Sequence, residues 1–92
     1  KTAAEANARH LKKMKTLVAR EGQLWQEVIN LIEHRNSRAY DQAVAHLLDL
    51  RDLAKHENDE ATFQTRLNSI YRDYRRLSAL MRRLRYAGLY EL

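Results

Sequence analysis

The feature that most constrains this chain is the series Phe63, Leu67, Ile70, Tyr74, Leu77, Met81 and Leu84, whose steps alternate between four residues and three. In a β-strand those steps would scatter side chains over both faces. At 3.6 residues per turn they form one continuous stripe. The spacing predicts a helix over 59–86, roughly 40 Å long at 1.5 Å per residue. Asn58 or Asp59 supplies a cap at its start, and Asp59 and Glu60 suit its positive end. Gly88 supplies a left-handed stop, with Arg82, Arg83 and Arg85 near the negative end.

Helical periodicity also runs through the rest of the chain. Segment 2–20 opens with Thr2 and Glu5 spaced as a capping box, then shows Leu11, Met14 and Val18. Gly22 reads as a stop or a kink, and segment 23–35 resumes with Leu24, Trp25, Val28, Leu31 and Ile32. The series 11, 14, 18, 25, 28, 32 keeps a heptad register across Gly22, with Glu21 in the missing place, so 2–34 reads equally as one bent helix. Arg35-Asn36-Ser37 is the clearest turn, with Asn36 or Ser37 capping a helix over 37–56. That helix carries Tyr40, Ala43, Val44, Leu47, Leu48, Leu50, Leu53 and Ala54, an apolar surface broad enough for neighbours on two sides. The expectation is one all-α domain over 1–92: a three- or four-helix antiparallel bundle, or a helical-hairpin stack, with a long C-terminal helix.

Composition narrows the function classes. There is no cysteine, which excludes disulfides, thiolate catalysis and Cys-based zinc sites. No apolar run approaches the ~20 residues needed to span a bilayer. The chain opens on Lys1, and we expect one segment of a larger cytoplasmic protein with no membrane partner. The formal net charge of +5 is unevenly spread. Residues 1–20 carry six Lys and Arg against Glu5; residues 21–60 carry nine acids and four bases; residues 61–92 carry seven arginines against Asp73 and Glu91.

Arg72, Arg75, Arg76, Arg82 and Arg83 fall opposite the apolar seam of the predicted last helix, together with Ala79 and Tyr86. Like charges three and four residues apart repel, so a helix that needed only solubility would mix signs. The stripe suits phosphate or carboxylate, which arginine grips with two parallel hydrogen bonds. The competing expectation is internal pairing with Asp41, Asp49, Asp52 and Glu57 of the preceding helix. Leu77, Met81 and Leu84 mark a second candidate surface, an interaction seam for self-association or a protein partner if the distal rod is left uncovered.

Other constellations read as structure. His10, His34, His46 and His56 are dispersed. His46, Asp49, Asp52 and His56 share a helical face, but ligation requires a second helix to supply groups, and no metal or other cofactor is expected. Trp25 and Tyr74 read as core, Tyr71 flanks the seam, and Tyr86 and Tyr90 are open to packing or stacking. No Gly-rich phosphate loop or nucleophile elbow occurs, so neither catalysis nor a small-molecule substrate is expected.

Trp25 followed by Tyr40-Asp41-Gln42-Ala43-Val44, Leu47, Leu50 and Leu53-Ala54, then Phe63, Leu67, Arg75-Arg76, Leu80-Met81, Leu84 and Ala87-Gly88-Leu89, forms a wider pattern. It resembles the helical C-terminal segment of bacterial SWIM-type zinc-finger proteins, where paired helices end in a basic helix closed by an Ala-Gly-Leu-like tail. The positions that match are mostly helix-packing residues. The family's zinc site uses Cys and His, and with no Cys here no metal function carries over. The resemblance implies a scaffold or interaction region attached to a nucleic-acid-associated protein. The expected function is a non-catalytic protein-interaction or oligomerisation module, with nucleic-acid binding through the arginine stripe as the alternative.

Overall fold

The computed structural model describes residues 3–92, with side chains from Arg9 onward; Thr2 and the Glu5 side chain of the expected capping box lie outside the described residues. Four helices follow one another: α1 (Ala3–His34), α2 (Ser37–His56), α3 (Glu60–Tyr74) and α4 (Ser78–Tyr86). The protein is all-α, and no described helix is long and apolar enough to cross a membrane.

α1 passes through Gly22 without interruption. Of the two readings, a stop and a single helix, the single helix holds because the buried stripe continues on both sides, with Met14 and Leu17 before the glycine and Leu24, Trp25, Val28 and Ile32 after it. That packing outweighs the ~1 kcal/mol a glycine costs inside a helix. The stripe differs from the predicted register in its first half. Leu17 is buried, whereas Leu11 and Val18 are 48% and 47% exposed. α2 packs along α1, with Asp49 on Lys13, Glu57 beside Glu21 and His46 near Glu27. α3 meets α1 with Phe63 against Trp25 (ring centroids 5.7 Å apart).

The α1–α2 hairpin closes on Arg35, whose backbone is left-handed (φ 56°), and on Asn36, whose side-chain oxygen accepts from the Ala39 N–H at 2.8 Å. Asn36 is therefore the cap of α2, as its residue type suggested. At the other end of α2, Asn58 takes the left-handed position (φ 54°). The Asn58 N–H donates to the Lys55 carbonyl and the Asp59 N–H to the Ala54 carbonyl, completing a two-bond C-cap. Asp59 occupies the N-cap position of α3 without capping it through its side chain; its carboxylate accepts from the Thr62 hydroxyl at 2.7 Å.

The predicted 59–86 helix is two helices. The Leu77 N–H donates to the Tyr74 carbonyl and the Ser78 N–H to the Arg76 carbonyl, with Leu77 at φ −84° and ψ 81°. That is an inverse γ-turn, which ends one helix and re-aims the next. No proline or glycine forces it. The cause is tertiary: a straight rod would carry its last turns away from the rest of the fold. Folding back buries Leu80 completely, along with Met81, Leu84 and Leu89. The longest helix is thus the first, not the last.

α3 runs alongside α1 in the same direction, with Phe63 near Trp25 and the Tyr74 hydroxyl donating to Glu33 at 2.8 Å. α4 returns in the sense of α2, with Arg83 on Asp41 and Gly88 near Arg51. α2 touches all three other helices, as its broad apolar surface predicted. The core is assembled from apolar and aromatic residues, and no polar or charged residue is buried among those described.

Candidate functional site

The inverse γ-turn separates the five stripe arginines into different environments. Arg72, on the last turn of α3, lies 3.2 Å from Asp73. Arg75 donates from Nη2 to both Glu91 carboxylate oxygens, at 3.0 and 2.9 Å. Arg83 is drawn inward: its Nε donates to Asp41 at 2.8 Å, its Nη1 to the Ala79 carbonyl, and its guanidinium lies 6.0 Å from the Tyr40 ring. Arg76 and Arg82 are exposed and have no carboxylate partner among the described residues.

Internal pairing with α2 is therefore realised once, at Asp41. Asp49 takes Lys13 instead, at 3.2 Å, and Glu57 lies beside Glu21. The seam does not serve as an open surface. Met81 is 4% exposed and Leu84 is fully buried, with Leu77 half-buried, because α4 lies against α2 and the tail closes over it. Covering those side chains within one chain removes the basis for self-association through them.

The outer face of α4 keeps Arg82 and Tyr86 together, as the register predicted, and adds Arg85. Arg82, Arg85 and Tyr86 are exposed, Tyr86 at 95%. Tyr86 thus buries almost none of its ring. Arg85 was read as a partner for the helix dipole; it is also exposed on this face. The sequence signal that could have found the break at Leu77 was Leu80, an apolar residue beside the seam rather than on it.

The tail after α4 is held in place along α3. Gly88 is left-handed (φ 80°); the Gly88 N–H donates to the Arg85 carbonyl and the Leu89 N–H to the Leu84 carbonyl. The buried Tyr71 hydroxyl donates to the Leu89 carbonyl, and burial raises the Tyr71 phenol above its ordinary range. Gln64 donates to the Tyr90 carbonyl at 2.8 Å. The Asn68 carboxamide grips both the N–H and the carbonyl of Leu92 at 3.1 and 3.0 Å. This tail brings Tyr90 and Glu91 next to α4. Between them lies a recess of about 330 Å³ lined by Tyr71, Arg75, Ser78, Met81, Arg85, Tyr90 and Glu91.

Elsewhere the ionisable groups are dispersed or mutually opposed. His46 lies 3.4 Å from Glu27, and the His10 and His56 rings meet edge to face at 6.3 Å. No three His, Asp or Glu side chains gather for metal binding among the described residues. Burial and the nearby Glu57 carboxylate raise the Glu21 carboxyl above its ordinary value, while Arg66 opposes that shift. Arg66 also stacks over Trp25 at 5.3 Å. No family model, curated protein or solved structure matches this chain.

Proposed function

We propose that this domain is a non-catalytic helical module that binds nucleic acid through the outer face of α4. The observation that carries the reading is the outer face of α4, where Arg82 and Arg85 accompany the almost wholly exposed Tyr86, with exposed Arg76 in the turn before the helix and no carboxylate partner for these arginines among the described residues. Guanidinium groups without an internal acid retain their capacity for phosphate, and an aromatic ring that buries nothing is free to stack. Arg83 is a support residue in this reading, since Asp41 and Tyr40 already engage it.

Binding of a labelled nucleic acid, followed across salt concentrations, tests the proposal. The expected result is affinity that falls steeply with salt; Arg76→Ala, Arg82→Ala or Arg85→Ala should each lower the salt slope by about one. Absence of binding at low salt overturns it.

A second reading, a protein-interaction module, rests on Leu11 and Val18, which lie half-exposed on one face of α1 before α3 begins. Light scattering on the chain and on a Leu11→Gln, Val18→Gln variant addresses self-association through that face. A monomer that behaves identically in both forms counts against self-association there.

A further inference from the structure

We infer that the recess between the end of α3, α4 and the tail accepts one nucleotide of a single strand, and that Glu91 occupies the phosphate's place on Arg75. The inference rests on the nucleic-acid reading of the α4 face and adds a site, a strand type and an internal competitor. The recess of about 330 Å³ has a floor of buried Tyr71 and Met81. Its rim carries the guanidinium groups of Arg75 and Arg85, the Ser78 hydroxyl and the Tyr90 ring, which is 57% exposed. That volume lies at the small end of ligand sites and suits one base-sized group.

The Arg75–Glu91 contact supplies the second argument. Arg75 Nη2 donates to both Glu91 oxygens, at 3.0 and 2.9 Å. A guanidinium N–H also donates to phosphate oxygens, so the carboxylate stands where an anionic phosphate oxygen can be accepted. Both groups are substantially exposed, 63% for Arg75 and 36% for Glu91, so this pair is a weak one that an incoming anion can exchange.

The strand type follows from the tyrosines. A duplex keeps its bases stacked inside and offers its backbone to arginines, leaving exposed rings without a role. A single strand offers base faces to stack on aromatic side chains while its phosphates meet the cations. Tyr86 and Tyr90 both follow Arg85, by one and by five residues, and both are exposed.

The test uses the full chain and two fluorescent probes, a twelve-nucleotide oligo-dT and a hairpin duplex of mixed sequence, read by anisotropy at low salt. The single strand should bind more tightly than the duplex. Tyr90→Ala should weaken single-strand binding about tenfold, within the range that base–aromatic stacking commonly carries, and Tyr90→Trp should restore it. Glu91→Gln should tighten binding severalfold. Asp52→Asn, which removes one negative charge from an exposed position on α2, should change it much less. Thermal melts of each variant show whether the tail remains docked. If both probes bind and Arg82→Ala weakens them, but Tyr90→Ala and Glu91→Gln do nothing, the recess assignment is overturned while the α4 reading stands. If neither probe binds, both fall.

Discussion

At the residue scale, Glu21 occupies the one polar place in the apolar series of α1, and its environment opposes its charge. Partial burial and the neighbouring Glu57 raise its folded pKa, so the folded state holds the proton more tightly than the unfolded chain. The stabilising contribution of protonation is therefore fully present below the ordinary glutamate range and is lost as pH rises through the raised value. Glu21→Gln should stabilise the protein at pH 7 by on the order of 0.5 kcal/mol, and that advantage should vanish below about pH 4. Paired denaturant melts at the two pH values check it. Arg35 is a second residue under local tension, a non-glycine held at φ 56°. The left-handed region costs an L-residue about 1–2 kcal/mol, more than the roughly 0.5–1 kcal/mol of chain entropy that glycine adds to the unfolded state. Arg35→Gly should raise stability by up to about 1 kcal/mol, and an unchanged or lower denaturation midpoint would count against that strain.

At the scale of elements, α1 and the α3–α4 pair show opposite outcomes of the same competition. A glycine inside α1 fails to break it, because the apolar stripe is buried on both sides. A Cβ added at Gly22 meets nothing within 4 Å, so Gly22→Ala should stabilise by about 1 kcal/mol, seen as a higher melting temperature. Between Tyr74 and Ser78 the chain breaks without glycine or proline. Leu80 reports on that break. In an unbroken rod it would sit beside the seam, whereas here it is fully buried. Leu80→Ala should therefore cost about 2–5 kcal/mol in chemical denaturation. A cost under ~0.5 kcal/mol, the level of an ordinary surface substitution, would contradict the folded-back position of α4.

At the scale of the whole molecule, closure depends on a tail of few residues that reaches back across α3. Leu89 is 1% exposed, and Tyr71, Gln64 and Asn68 hold the backbone around it. Leu89→Ala should lose about 2–5 kcal/mol and expose the 88–92 amides to rapid hydrogen exchange, because that side chain and those bonds close the same face. The described ion pairs carry less. They are surface contacts, and such pairs are worth about 0–1 kcal/mol each, less at high salt. Their value lies in which arginines they leave available.

Helix type, the turn at Arg35–Asn36, the stop at Gly88 and the central position of α2 were legible in the residue order. Local propensities and apolar spacing act over a few residues and are legible in one dimension. The residue order also marked Arg76 and Arg82 as surface cations, and both are exposed. Where the last helix breaks, why Leu17 rather than Val18 is buried, and which acid each arginine meets follow from packing between helices. Those outcomes depend on the direction of a helix axis relative to its neighbours. Periodicity describes a helix's faces but says nothing of where its axis must bend to cover a core. The tail's return across α3 belongs with them, because hydrogen bonds over 18 to 26 residues have no local sequence signal. That return brings Tyr90 and Glu91 beside Arg75 and Arg85, and so creates the recess.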